Sequence, residues 1–263
     1  MSFQLKSYQS IRVQTHIGLL SSVLFAGLTA LGAFLVIPLK FTPVPITGQT
    51  FFVLLSGFLL GKKYGPLSQF LYVGLGVLGI PWFADGSSGL SVLLGATGGY
   101  LIGFVVASFV IGYITEISNE MRKTPIILLL SAIGTLTVYL FGVLGLSLIA
   151  EISINSALLL GFFPFIPGDL LKIALVFATA TLVLPNGEAT TDKGLTKKKW
   201  NLFLLVSLIF SILSVFVFVV YLLAASDNPP INLVSYSLLT SAVVIPSIIL
   251  ALQTNKLSTP KEE

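Results

Sequence analysis

An acid and a base, Asp169 and Lys172, stand three positions apart in "GFFPFIPGDLLKIALVF", residues 161–177, which is otherwise apolar. At this spacing both side chains lie on one helical face, where an ion pair contributes only about 0.2 to 0.5 kcal/mol. A charge at the centre of a membrane-spanning helix costs about 2.5 to 3.5 kcal/mol. An ion pair between the two side chains does not offset the cost of placing their charges in the membrane. Because Asp169 can accept hydrogen bonds and Lys172 can donate them, the pair favours contact with a ligand over a purely structural role.

The residues just before this pair interrupt the helical pattern. Pro164, Pro167 and Gly168 favour a break followed by a helix that restarts, which places Asp169 near the positive N-terminal end of that helix. Within a membrane, irregular backbone is tolerated only where it lines protein or a cavity. The break therefore predicts a ligand site close to the charged pair.

Composition defines the class of protein that must position these residues. Of 263 residues, 55% are hydrophobic and 9% are charged, and the mean hydropathy is +1.01, whereas soluble domains carry about 25% charged residues. This indicates a polytopic, all-α membrane protein embedded in the lipid bilayer. The chain has no cysteine, which excludes disulfides, thiolate metal sites and thiol catalysis. Its net charge of +4 is distributed over short loops, so no nucleic-acid partner is expected.

Apolar segments long enough to approach the ~30 Å of a bilayer core give eight candidate spans. They lie near residues 17–37, 45–60, 66–80, 93–115, 126–150, 157–184, 202–224 and 232–252. If the spans alternate in direction, the basic residues of the loops fall on one side and Lys40 on the other. The positive-inside rule then predicts a cell-membrane protein with cytoplasmic N- and C-termini.

With that topology, three irregular segments meet on the outer side. They are "PLKFTPVPITGQTF", which contains Gln49, the glycine-rich "PWFADGSSGLSVLLGATGGY", and the "PFIPGDLLK" break. In the second segment the aromatic residues Trp82 and Phe83 stand beside Asp85. A cavity formed by these segments would be aromatic and carry few charges, which suits a small, mostly apolar ligand with a compact polar head.

The same segments carry a family resemblance. "VPITGQT", "GLGVLGIPWFADGSSGLSVLLGATGGYLIGF" and "PGDLLK" resemble, in order, motifs of the BioY family, the biotin-binding S component of energy-coupling factor (ECF) transporters. The resemblance extends over about residues 20–185. It implies a six-helix S-component core that captures biotin on the outer face and joins a transmembrane coupling subunit and two ATPase subunits.

The resemblance also implies a binding site. Asp169 and Lys172 match the acid and base of the family's biotin pocket. Asp169 can accept from the N–H groups of the ureido ring, and Lys172 can donate either to the ureido oxygen or to the carboxylate of the valerate tail. The sequence leaves both roles of Lys172 open.

Six further residues in the matching motifs are candidate contacts with substrate. Trp82 and Phe83 could wall the thiophene ring or anchor their loop at the membrane interface. The remaining four are polar, and each could equally be structural: Gln49, Asp85, Thr97 and Tyr100.

Ala26 and Ala30, in "FAGLTALGA", form a small-xxx-small pair on the first span. Such a pair lets another helix approach closely. It could be a packing seam for this chain's own helices or a docking face for another subunit. The resemblance implies that it docks the coupling subunit.

The C-terminal part departs from the family pattern. We therefore divide the chain into a six-helix substrate-binding core at residues 1–185, a polar cytoplasmic linker at 186–200, and two additional transmembrane helices with a short tail at 201–263. The additional helices carry no charge in their apolar stretches, so a scaffold or contact surface is expected.

Other function classes find little support in the sequence. "GLGVLG" lies in an apolar span without a preceding strand, and no phosphate-binding loop is present, so ATP hydrolysis would need partner subunits. With only Asp169 and Lys172 at membrane depth and His16 as the single histidine, we expect neither an enzyme nor a metal or cofactor. A solitary secondary carrier, or an S component for another small vitamin, remains the alternative.

Overall fold

The computed structural model describes the backbone of residues 2–117 and 124–183 and the side chains of residues 15–117 and 126–180. The predicted linker and the two additional C-terminal helices, at 186–263, lie outside these residues. Within the described residues the protein is all-α apart from one pair of two-residue strands, which confirms the predicted all-α class.

The helices and strands follow one another along the chain with the following bounds. They are α1 Ser2–Phe34, β1 Val36–Ile37, β2 Ile46–Thr47, α2 Gln49–Val77, α3 Leu90–Leu93, α4 Gly98–Ile117, α5 Thr124–Ile149, α6 Ile154–Gly161 and α7 Ile166–Val183. Short 3-10 turns occupy Ala84–Gly86 and Phe163–Phe165. β1 and β2 pair antiparallel, with Val36 opposite Thr47.

Four segments of the described chain are long and apolar enough to cross a membrane. They are Thr15–Phe34, Gly98–Ile117, Ile126–Ile149 and Ile154–Ala180. These segments correspond to the first, fourth, fifth and sixth predicted spans. The chain is therefore a multi-pass membrane protein.

The second and third predicted spans are the two arms of α2, which folds back on itself at Gly61. The backbone of Gly61 is left-handed, with φ of 72°. The Gln69 amide donates to the Ser56 hydroxyl at 3.2 Å, whereas the ends of a straight helix of that length would be about 20 Å apart. Glycine suits this turn because other residues pay a steric penalty at positive φ.

Small residues hold the helices in close contact. A β-carbon on Gly57 of α2 would meet Ile111 and the Ser108 carbonyl of α4 at 2.8 and 2.9 Å. One on Gly145 of α5 would meet the Cα of Gly99 in α4 at 2.9 Å. Because backbones can approach only where side chains are this small, α4 packs tightly between α2 and α5.

Ala26 and Ala30 of α1 pack within the chain's own core. Their side chains are only 2% and 0% exposed, and they belong to the buried core that also contains Val53 and Tyr72 of α2. The pair is thus a packing seam for this chain's own helices, and docking of a partner subunit there stays a prediction.

Candidate ligand-binding site

The three irregular segments converge on one cavity, which α4 and α5 complete. The cavity region contains about 690 Å³ of atom-free space, part of which is open solvent. Its lining residues are Val44, Pro45, Thr47, Gln49, Thr50, Phe83, Ala84, Ser87, Val92, Thr97, Tyr100, Leu101, Phe104, Val138, Tyr139, Phe165, Asp169 and Lys172. The walls are mostly apolar and a few polar groups converge on the interior, as in small-molecule sites.

Helix α7 restarts where the sequence predicts. Its first turn contains Pro167 and Gly168, and the carboxylate of Asp169 lies in that same turn. Proline is tolerated there because the first N–H groups of a helix have no intrahelical partner. The unpaired N–H groups give this end of the helix a partial positive charge that stabilises the carboxylate.

Asp169 and Lys172 form an ion pair in the cavity wall. The ammonium Nζ lies 2.8 Å from Asp169 Oδ1, and the two side chains are only 7% and 13% exposed. Of the three N–H donors of an ammonium, one is thereby used, and the others remain for a ligand. Among the lining residues these two are the charged ones, so the formal charges of the wall cancel.

Tyr139 of α5, which the sequence interpretation missed, completes this group. Its buried hydroxyl donates to Asp169 Oδ2. The signal was a tyrosine in the apolar segment "TLTVYLFG", since a buried phenol hydroxyl usually finds a hydrogen-bond partner. A carboxylate offers about four lone-pair sites, so Asp169 retains acceptor capacity after binding Tyr139 and Lys172.

A second polar group enters the cavity at the head of α2. The Gln49 Nε2 atom donates to the Tyr72 hydroxyl at 2.6 Å, and its Oε1 accepts from the Thr47 hydroxyl at 2.8 Å. Tyr72 is fully buried and accepts at its backbone oxygen from the Trp82 indole at 3.0 Å. These bonds fix the orientation of the Gln49 amide at the cavity wall.

The predicted site residues divide into two groups. Besides the charged pair, Gln49, Phe83, Thr97 and Tyr100 line the cavity. Trp82 lies behind the wall, where it supports Tyr72. Asp85 is exposed and does not line the cavity, although Ala84 and Ser87 on either side do. Contact between Asp85 and a ligand stays a prediction.

No metal centre is apparent in the part of the chain that the structure describes. Those residues contain no cluster of three or more histidine, cysteine, aspartate or glutamate side chains that could hold an ion.

Comparison with known proteins gives a consistent result. The BioY family model matches residues 7–188. The biotin transporter BioY of Thermotoga maritima is 41% identical over 157 residues, which cover 60% of this chain and 89% of that protein. The probable biotin transporter BioY of Pyrococcus horikoshii is 42% identical over 168 residues, covering 64% and 94% of the two chains.

A solved structure extends the likeness to three dimensions. The crystal structure of the S component for biotin from an ECF-type ABC transporter superposes with a TM-score of 0.55 at 28% identity. The superposition covers 66% of this chain and 90% of that one. The described helices therefore form an S-component-like core, and the resemblance found in the sequence motifs is confirmed. With a match over most of its length, this chain belongs to the BioY family.

Proposed function

We propose that this chain is a biotin transporter component, the S component of an ECF transporter, which captures biotin at the outer face of the membrane and delivers it inward. Its family and its similarity to biotin transporters of that family support this function. So does its likeness to the solved S component for biotin. The function is transport rather than catalysis.

The observation that carries the proposal is the acceptor and donor held side by side in a largely apolar cavity. The ureido ring of biotin presents N–H donors beside a carbonyl acceptor. Asp169 keeps lone pairs for the N–H groups, and Lys172, at 2.8 Å from Asp169, keeps N–H donors for the carbonyl. We therefore assign the ureido head to this pair and the valerate carboxylate to the open mouth, where water solvates it.

The remaining walls suit the rest of the molecule. Phe83, Phe104, Val92 and Phe165 line the cavity and give the thiophene ring and the aliphatic tail apolar contacts. Burial of such surface contributes about 25 cal/mol per Å². The Gln49 amide is a further polar contact at the cavity wall.

Energy for transport would come from partner subunits. The sequence contains no phosphate-binding loop, so we assign ATP hydrolysis to two ATPase subunits and its coupling to a transmembrane subunit. We further assign the N- and C-termini to the cytoplasm, which places the cavity mouth outside.

Uptake of labelled biotin into vesicles tests this function. The chain is reconstituted alone and with the coupling subunit and ATPases, with and without ATP. We expect uptake only in the complex with ATP. Equal uptake without partners would instead establish a solitary carrier, and a second vitamin that outcompetes biotin would overturn the substrate.

A further inference from the structure

The helix break at residues 162–165 leaves a backbone carbonyl that the helices cannot satisfy. The Gly161 carbonyl would normally accept from the residue three or four positions later. Pro164 has no N–H, and the Phe165 N–H donates instead to the Phe162 carbonyl at 3.1 Å. In a membrane interior, such an unsatisfied carbonyl costs several kcal/mol.

Tyr100 of α4 supplies the missing donor. Its hydroxyl lies 2.7 Å from the Gly161 oxygen, and the bond is buried. Two glycines make room for this side chain: a β-carbon on Gly142 would collide with its ring, and one on Gly161 would collide with its hydroxyl. Gly142 and Gly161 thus leave the space through which the Tyr100 side chain extends from α4 past α5 to the end of α6.

Tyr139 of α5 holds the other side of the break. Its hydroxyl donates to Asp169 in the first turn of α7. Its ring packs edge-on against Phe162, with centroids 4.8 Å apart. It also meets the ring of Tyr100 at 6.3 Å and an interplanar angle of 85°. The two tyrosines therefore contact each other while each binds one side of the break.

We propose that Tyr100 and Tyr139 form a tyrosine brace that fixes the α6–α7 break and holds the Asp169–Lys172 pair at its position in the cavity. Both are positioning residues: Tyr100 acts through the Gly161 carbonyl and Tyr139 through the Asp169 carboxylate. Their rings also line the cavity. The inference deepens the proposed function, and it rests on that function only for its binding test.

Hydrogen–deuterium exchange tests the brace without any ligand. Tyr100→Phe and Tyr139→Phe remove one hydroxyl each, and Tyr113→Phe is the matched control because Tyr113 lies on α4 but is 49% exposed. We expect exchange of the amides at 162–166 to accelerate about threefold or more in both brace variants and not in the control. Unchanged exchange in both brace variants would overturn the brace.

Biotin affinity tests whether the brace acts through the charged pair. The Tyr139 hydroxyl donates to a buried carboxylate, so Tyr139→Phe should release Asp169 from its position and weaken binding about tenfold or more. In an Asp169→Asn background, the same substitution should weaken binding less than about twofold. A tenfold loss in both backgrounds, or none in the wild-type background, would overturn positioning through Asp169.

The two proposals fail in different ways. A wild-type chain that binds no biotin, with exchange at 162–166 still accelerated in the brace variants, would overturn the proposed function and support the brace. Normal biotin binding in the wild type and both brace variants, with unchanged exchange, would overturn the brace alone. If Asp169→Asn binds too weakly to titrate, exchange remains the deciding measurement.

Discussion

Asp169→Asn removes the negative charge of the cavity wall and leaves the shape of the side chain nearly unchanged. The Asp169 side chain is 7% exposed, and its carboxylate accepts hydrogen bonds from the Lys172 ammonium and the Tyr139 hydroxyl. The substitution leaves the ammonium without its anion and replaces one acceptor oxygen by a donor. Loss of a charged acceptor for the ureido N–H groups costs about 1.5 to 3 kcal/mol. We therefore expect biotin binding to weaken by about 2 kcal/mol, which is about 30-fold.

Lys172→Met removes the other charge and should weaken binding by a similar amount. The double variant, with Asp169→Asn and Lys172→Met together, separates the effect on biotin binding from the effect on stability. Breaking a buried pair by removing one partner destabilises a protein by about 3 to 5 kcal/mol, whereas removing both charges is often tolerated. The double variant should therefore recover thermal stability relative to the single variants but not biotin affinity.

Calorimetric titration of the detergent-solubilised protein measures affinity, and thermal unfolding in the same detergent measures stability. Glu151→Gln is the matched control, since Glu151 is an exposed carboxylate in the turn after α5, outside the cavity lining. Wild-type affinity in both single variants would place the ligand elsewhere. Wild-type affinity in the double variant would reduce the pair to a structural ion pair.

Three further predictions test other parts of the site and fold. Gln49→Leu deprives the buried Tyr72 hydroxyl of its donor and should weaken biotin binding about five- to tenfold in the same titration; unchanged affinity would refute a role for this amide. Gly61→Ala forces a side chain into φ of 72° and should lower the free energy of unfolding by about 1 to 2 kcal/mol with biotin affinity unchanged; an unchanged unfolding curve would contradict the strained turn. Biotin methyl ester should bind within about threefold of biotin, a difference under 1 kcal/mol; a much larger loss would assign Lys172 to the carboxylate.

Much of the site could be predicted because its signals are local. Charges in an apolar span are costly wherever the span packs, so Asp169 and Lys172 could be identified as candidate site residues from the sequence. Pro164 and Pro167 break a helix through their own backbone geometry, which correctly located the restart of α7. The mean hydropathy of +1.01 likewise indicates a lipid environment, and it does not depend on which residues contact one another.

Contacts between distant helices could not be predicted in this way. Tyr139 is 30 positions from Asp169 and Tyr100 is 61 positions from Gly161, so no window of sequence contains either hydrogen bond. Burial of Ala26 and Ala30 is also a tertiary property, because a small-residue seam has the same sequence whether it faces its own chain or a partner.

The sequence by itself determined the membrane class, the family motifs and the positions of the charged pair and the helix break, since hydropathy and backbone restriction act within a few residues. Only the tertiary structure decided which donors satisfy the broken helix and which side chains reach the cavity. Those outcomes depend on how α5 packs against α6 and α7 and on how Tyr100 of α4 reaches the end of α6, and such packing brings together groups far apart in the chain.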